Sequence, residues 1–146
     1  MKNHMQISFK SRSENESFAR IVVASFIAPI DPTLEELSEV KTVVSEAVTN
    51  AIIHGYEQSD EFDIYLSCEI NDRQVRIIIE DLGVGIANVE EAIQPLYTSK
   101  PELERSGMGF TIMENFMDHI SIESALGHGT KVILEKTFQT SRSIHQ

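Results

Sequence analysis

The sequence predicts an α+β domain: a two-layer sandwich with one mixed, mostly antiparallel sheet and helices on one face. Two stretches alternate apolar and polar residues in hairpin fashion, at 62–81 and at 120–134. Three other stretches repeat apolar residues at intervals of three and four, as amphipathic helices do. The strands are grouped into hairpins and kept apart from the helices, which favours a layered α+β arrangement over a wound parallel sheet.

Met5, Ile7 and Phe9 alternate with polar neighbours and predict an opening strand. Ser13-Glu14-Asn15-Glu16 has the spacing of a capping box, so a helix is expected from there. Its apolar positions are Phe18, Ala19, Val22, Val23, Phe26 and Ile27, and Pro29 ends it. Thr33-Leu34-Glu35-Glu36 is a second capping box and opens a long helix with Leu37, Val40, Val44, Ala47, Val48 and Ala51 toward a core. Gly55 is expected to close that helix in a left-handed conformation. Phe62, Ile64, Leu66, Cys68 and Ile70 form the next strand. Asn71-Asp72 turns the chain, and Val75, Ile77 and Ile79 return it.

A short helical segment is expected around Val89 to Ile93. No periodicity follows from Gln94 to Ser106, which predicts a mobile loop. Gly107-Met108-Gly109 then opens a helix carrying Ile112, Met113, Phe116, Met117 and Ile120. Ile120 and Ile122 begin a strand, Gly127-His128-Gly129 turns it, and Val132 and Leu134 mark its partner. Residues 1–138 are therefore expected as one domain, and 139–146 as a polar, frayed tail.

Composition narrows the function classes. The 146 residues carry a formal charge of −11, with no basic run, which disfavours direct contact with a nucleic-acid backbone. No apolar run approaches a membrane span, and no signal-peptide region opens the chain. The single cysteine, Cys68, falls on an inward strand phase and reads as a small core residue; a cytoplasmic protein is expected.

Four segments carry possible chemistry. Glu46, Asn50 and His54 recur every four residues and would share a helix face beside the apolar stripe. Asp81 at a strand end, followed by Gly83 and Gly85, can accept a hydrogen bond from an exocyclic amine while the glycines admit a flat base. Gly107 and Gly109 sit at a helix start, where unpaired amides and the dipole suit an anion. Gly127-His128-Gly129-Thr130 is an ordinary hairpin turn when taken alone. Neither a dinucleotide fingerprint nor a lysine-containing phosphate loop is present.

The order of these segments resembles the nucleotide-binding family of gyrase B, Hsp90, MutL and histidine kinases (the GHKL type, with the Bergerat ATP-binding fold). The stretch from Pro95 to Phe110, Pro-Leu-Tyr-Thr-Ser-Lys-Pro-Glu-Leu-Glu-Arg-Ser-Gly-Met-Gly-Phe, is similar to the branch of anti-sigma factors that are also serine kinases. That resemblance implies ATP and Mg²⁺ as cofactors, with Asn50 holding the metal and Glu46 taking or orienting the proton of an attacking hydroxyl. It implies that Asp81 binds the adenine amino group with support from Thr130. Gly83 and Gly85 would shape the base pocket, and Gly107 and Gly109 would lie against phosphates.

By the same resemblance Arg105 is the candidate cation for the γ-phosphate; Lys100 reads as a solvated loop lysine, and His54 as a helix-end residue. The implied activity is protein-serine kinase. Its substrate would be an anti-anti-sigma partner, and it would also sequester a sporulation sigma factor. A homodimer is expected, and Glu16 and Arg20 on the first helix are candidates for partner contact. At this length neither the clamp domains of gyrase, Hsp90 and MutL nor a histidine-bearing dimerisation helix is expected. The alternative is a nucleotide-dependent binding module that transfers nothing.

Overall fold

The computed structural model describes residues 1–89 and 109–139. The loop expected from Gln94 to Ser106, the helical segment expected to end at Ile93, and residues 140–146 lie outside the described residues. Among the described residues five strands form one sheet: β1 (Lys2–Lys10), β2 (Asp63–Asn71), β3 (Gln74–Asp81), β4 (His119–Ser124) and β5 (Thr130–Thr137). Their order is β1-β2-β3-β5-β4, and every pairing is antiparallel. Among the described residues three α-helices accompany it: α1 (Glu14–Ile27), α2 (Leu34–Asn50) and α3 (Gly109–Phe116).

The alternation of side chains makes one sheet face apolar. Ile7, Leu66, Ile79, Val132 and Ile122 form one cross-strand row, and Met5, Cys68, Ile77, Leu134 and Ile120 form the next. Helical residues Ala19, Val23, Ile27, Val40, Val44, Ala47, Val48 and Met113 complete the core over this face. The α+β sandwich predicted from the pattern is borne out, with a wholly antiparallel sheet among the described strands. Cys68 is fully buried, and burial pushes its thiol up to about 12, so it is packing material and not a nucleophile.

Four local expectations are corrected. The Ser13 box does not form: Ser13 has helical backbone angles and no side-chain cap. Glu16 turns instead toward α2, where it accepts the hydroxyls of Ser45 and, at 3.4 Å, Thr49. Phe18 is not core; it is 48% exposed, with its ring edge-on to Phe9. Phe62 precedes β2, faces outward and stacks on Tyr56. Gly55 does not adopt a left-handed conformation. The α-helical turns of α2 stop at Asn50, and Ala51–Gly55 form a wider π turn closed by the Tyr56 amide on the Ala51 carbonyl (2.9 Å). The Thr33 box forms as expected, with both reciprocal bonds at 2.9 and 3.0 Å.

Candidate nucleotide site

At one end of the sheet the apolar face becomes polar. The register that pairs Ile122 with Val132 and Val132 with Ile79 continues, two residues on, to Ser124, Thr130 and Asp81. These three side chains therefore lie in one row on the helix-facing side. Asp81 and Thr130 are buried at 4% and 9% exposure. A carboxylate so placed needs compensation, and it receives two backbone amides, from Gly83 (2.9 Å) and Thr130. Burial outweighs them, and the Asp81 carboxyl is pushed from its ordinary 3.8 up to about 6.

The end of α2 closes over this row. A Cβ on Gly55 would lie 2.6 Å from the Asp81 carboxyl, and one on Gly83 would lie 1.9 Å from the Gly55 carbonyl oxygen. Space, not backbone conformation, explains these two glycines. The Val84 amide donates to that Gly55 carbonyl (2.9 Å), and the Tyr56 hydroxyl, bound to the Asp63 carbonyl, accepts the Leu82 amide (2.7 Å). Gly85 and Gly129 do need their left-handed φ of +76° and +78°. Their backbones also press on Ala125 and Asp81, at distances no side chain allows.

Asn50 precedes Gly55 by five residues, one wide π turn back along the same helical segment. Its Oδ1 is buried and accepts no hydrogen bond from any described residue. An orphaned buried acceptor is costly unless a ligand or ion meets it. Glu46 lies one turn earlier, half-buried on the same α-helical face. The π turn means that the shared α-helical face extends only as far as Asn50; His54 falls in the wider turn.

α3, described from Gly109 onward, packs along α2. Arg105, Lys100 and Gly107 lie outside the described residues. Glu16 and Arg20 form a long ion pair on α1, 3.9 Å apart and partly solvated, a pair worth a few tenths of a kcal/mol.

Reading the sequence alone passed over Ser124, Tyr56 and the space-filling reason for Gly55. Ser124 carried a signal, because it is polar at an inward strand phase set by Ile120 and Ile122. Tyr56 carried none, since its two bonds join segments distant in the chain.

Residues 9–136 match the histidine kinase-like ATPase domain family. The chain is similar to the anti-sigma F factor of Bacillus licheniformis, with 61% identity over 99% of both chains. It is 59% identical, again over 99% of both, to that of Bacillus subtilis. The anti-sigma F factor of Clostridium beijerinckii is 57% identical, over 93% of this chain and 95% of its own.

Among solved structures, the RsbU and RsbW domains of a Mycobacterium tuberculosis protein superpose with a TM-score of 0.68 at 17% identity, over 93% of this chain and 32% of that one. The catalytic domain of the histidine kinase ThkA gives 0.54 at 19% identity, over 94% and 99%. At those identities the structures speak for the fold alone. The family match and the near-complete sequence relatives together place this chain in the histidine kinase-like ATPase domain family, within its anti-sigma F factor branch.

Proposed function

We propose that this chain is an ATP-dependent protein-serine kinase that also sequesters a sigma factor of the sporulation, sigma F type. The observation that carries the nucleotide part is the polar Ser124–Thr130–Asp81 row, with Thr130 and Asp81 buried, against which Gly55, five residues after Asn50, is packed. Asp81, ionised, accepts the exocyclic amine of adenine, and Thr130 supports the same edge of the base. Gly83 and Gly85 keep the floor of the base site free of side chains.

The Asn50 carboxamide oxygen is the protein's contribution to a Mg²⁺ ion. Among the described residues no cluster of acidic, histidine or cysteine side chains offers another metal site, and magnesium tolerates one protein ligand with water and phosphate completing its shell. Bound Mg·ATP supplies the transferable γ-phosphoryl group and neutralises its charge. Glu46 takes or orients the proton of the attacking serine hydroxyl. Gly107 and Gly109 would lie against the phosphates, and Arg105 would meet the γ-phosphate; these assignments rest on the motif.

The acceptor is a serine of an anti-anti-sigma partner, and the protein acts as a homodimer in the cytoplasm, with no direct contact to nucleic acid or membrane. Relatives named anti-sigma F factor support the sigma-binding half. For the surface, α1 offers Phe18 and Ile21, 48% and 62% exposed, beside Glu16 and Arg20. Its Glu16 bonds to Ser45 and Thr49 join that helix to the turn of α2 carrying Glu46 and Asn50.

The test is incubation of the chain with γ-labelled ATP, magnesium and a candidate anti-anti-sigma protein, followed by phosphoamino-acid analysis. Labelled phosphoserine on the partner is the expected product. Tight ATP binding without transfer to any such partner would favour the binding-module reading.

A further inference from the structure

Ser124 lies in none of the glycine motifs, yet three polar groups meet at its hydroxyl. The Ile86 amide donates to Ser124 Oγ at 2.7 Å, the Gly129 carbonyl oxygen lies 2.8 Å away, and Thr130 Oγ1 lies 2.8 Å away. A serine hydroxyl has one proton and two lone pairs. The carbonyl can only accept, so the Ser124 proton goes to Gly129. The amide can only donate, so it occupies one lone pair. Thr130 must therefore give its own proton to the second lone pair. Its hydroxyl oxygen is left able to accept from a ligand but not to donate. The neighbouring Asp81 carboxylate, already holding two backbone amides, is likewise an acceptor.

We propose that Ser124 is a positioning residue that sets the polarity of the base site: by taking the Thr130 proton, it makes Thr130 and Asp81 an all-acceptor edge. Where both oxygens meet the 6-substituent, such an edge takes the two protons of an amino group and repels a 6-oxo oxygen. The selectivity penalty arises because two oxygens would face each other without a proton between them. This inference rests on the adenine-binding reading above. It adds a residue outside the motifs and a direction for each proton.

The experiment measures dissociation constants of Mg·ATP and Mg·ITP by calorimetry, on the full chain. Variants are Ser124→Ala, Ser124→Cys, Thr130→Val and the double variant Ser124→Ala/Thr130→Val. Freed from Ser124, the Thr130 hydroxyl can donate to the 6-oxo group, so Ser124→Ala should lower the preference for ATP roughly five- to tenfold. Ser124→Cys, which keeps the volume but offers a weak acceptor, should act in the same direction. In the Thr130→Val background the Ser124 change should leave the ATP-to-ITP ratio unaltered.

An unchanged ratio in both single Ser124 variants, or the same loss of preference with and without the Thr130 hydroxyl, would overturn the assignment. Should the parent chain bind neither nucleotide, the adenine-binding reading itself fails. That result is distinct from parent selectivity that survives loss of Ser124.

Discussion

Replacing Asp81 by asparagine should make the nucleotide-free protein more stable at neutral pH while abolishing nucleotide binding. The buried carboxyl titrates at about 6 in the folded chain against an ordinary 3.8, because burial disfavours its charge. That difference corresponds to about 3 kcal/mol of stability forfeited at pH 7.5. The sign follows from linkage: the folded state binds the proton more tightly, so this contribution is fully present below pH 3.8 and is lost as pH rises through about 6.

Asparagine removes the charge but offers only one acceptor oxygen to the amides of Gly83 and Thr130, a loss of about 1–2 kcal/mol. The net expectation is a gain of about 1–2 kcal/mol at pH 7.5 that falls to zero at about pH 5 and becomes a loss of about 1 kcal/mol by about pH 4. Urea unfolding followed by far-ultraviolet circular dichroism suits a chain with no tryptophan. With ATP at 100 times its dissociation constant the parent should gain about 2.7 kcal/mol and the variant nothing. An Asp81→Asn protein that is less stable than the parent at pH 7.5, or whose gain does not depend on pH, would refute the argument.

Other substitutions separate space, strain and chemistry. Gly83→Ala drives a methyl into the Gly55 carbonyl and should unfold or severely destabilise the chain. Gly127→Ala meets nothing within 4 Å and should cost only about 1–2 kcal/mol for its left-handed backbone, both read by urea titration. Tyr56→Phe strands the Leu82 amide and should lose about 1–3 kcal/mol in the same assay. Glu46→Gln should retain ATP affinity in calorimetry yet lose labelled-phosphate transfer; transfer at the parental rate would remove Glu46 from its role.

Much of the layered fold was legible because period-2 and 3.6-residue patterns mark buried faces directly. The inward residues Leu66, Cys68, Ile77 and Ile79 were named correctly for that reason. Errors arose where a long-range partner overrode a local rule. Glu16 fits a capping box on paper but finds the Ser45 and Thr49 hydroxyls across the helix pair. Gly55 looked like a left-handed cap, yet it is needed because the Asp81 carboxyl occupies the space of its Cβ. Phe18 kept the helical phase of a core residue but lies at the rim of the apolar stripe.

The sequence marked the candidate site as a set of motifs; the structure pairs Asp81 with Thr130 across β3 and β5 and sets Gly55, five residues after Asn50, against the Asp81 carboxyl. For Ser124 the sequence offered only a polar residue at an inward strand phase; the direction of its hydrogen bonds is not encoded in residue spacing.

The most direct measurement is a crystal structure of the chain with magnesium and a non-hydrolysable ATP analogue. The account predicts the adenine amine within hydrogen-bond distance of the Asp81 carboxyl and the metal bound to Asn50 Oδ1. A nucleotide seated elsewhere, or a metal whose shell excludes Asn50, would contradict it.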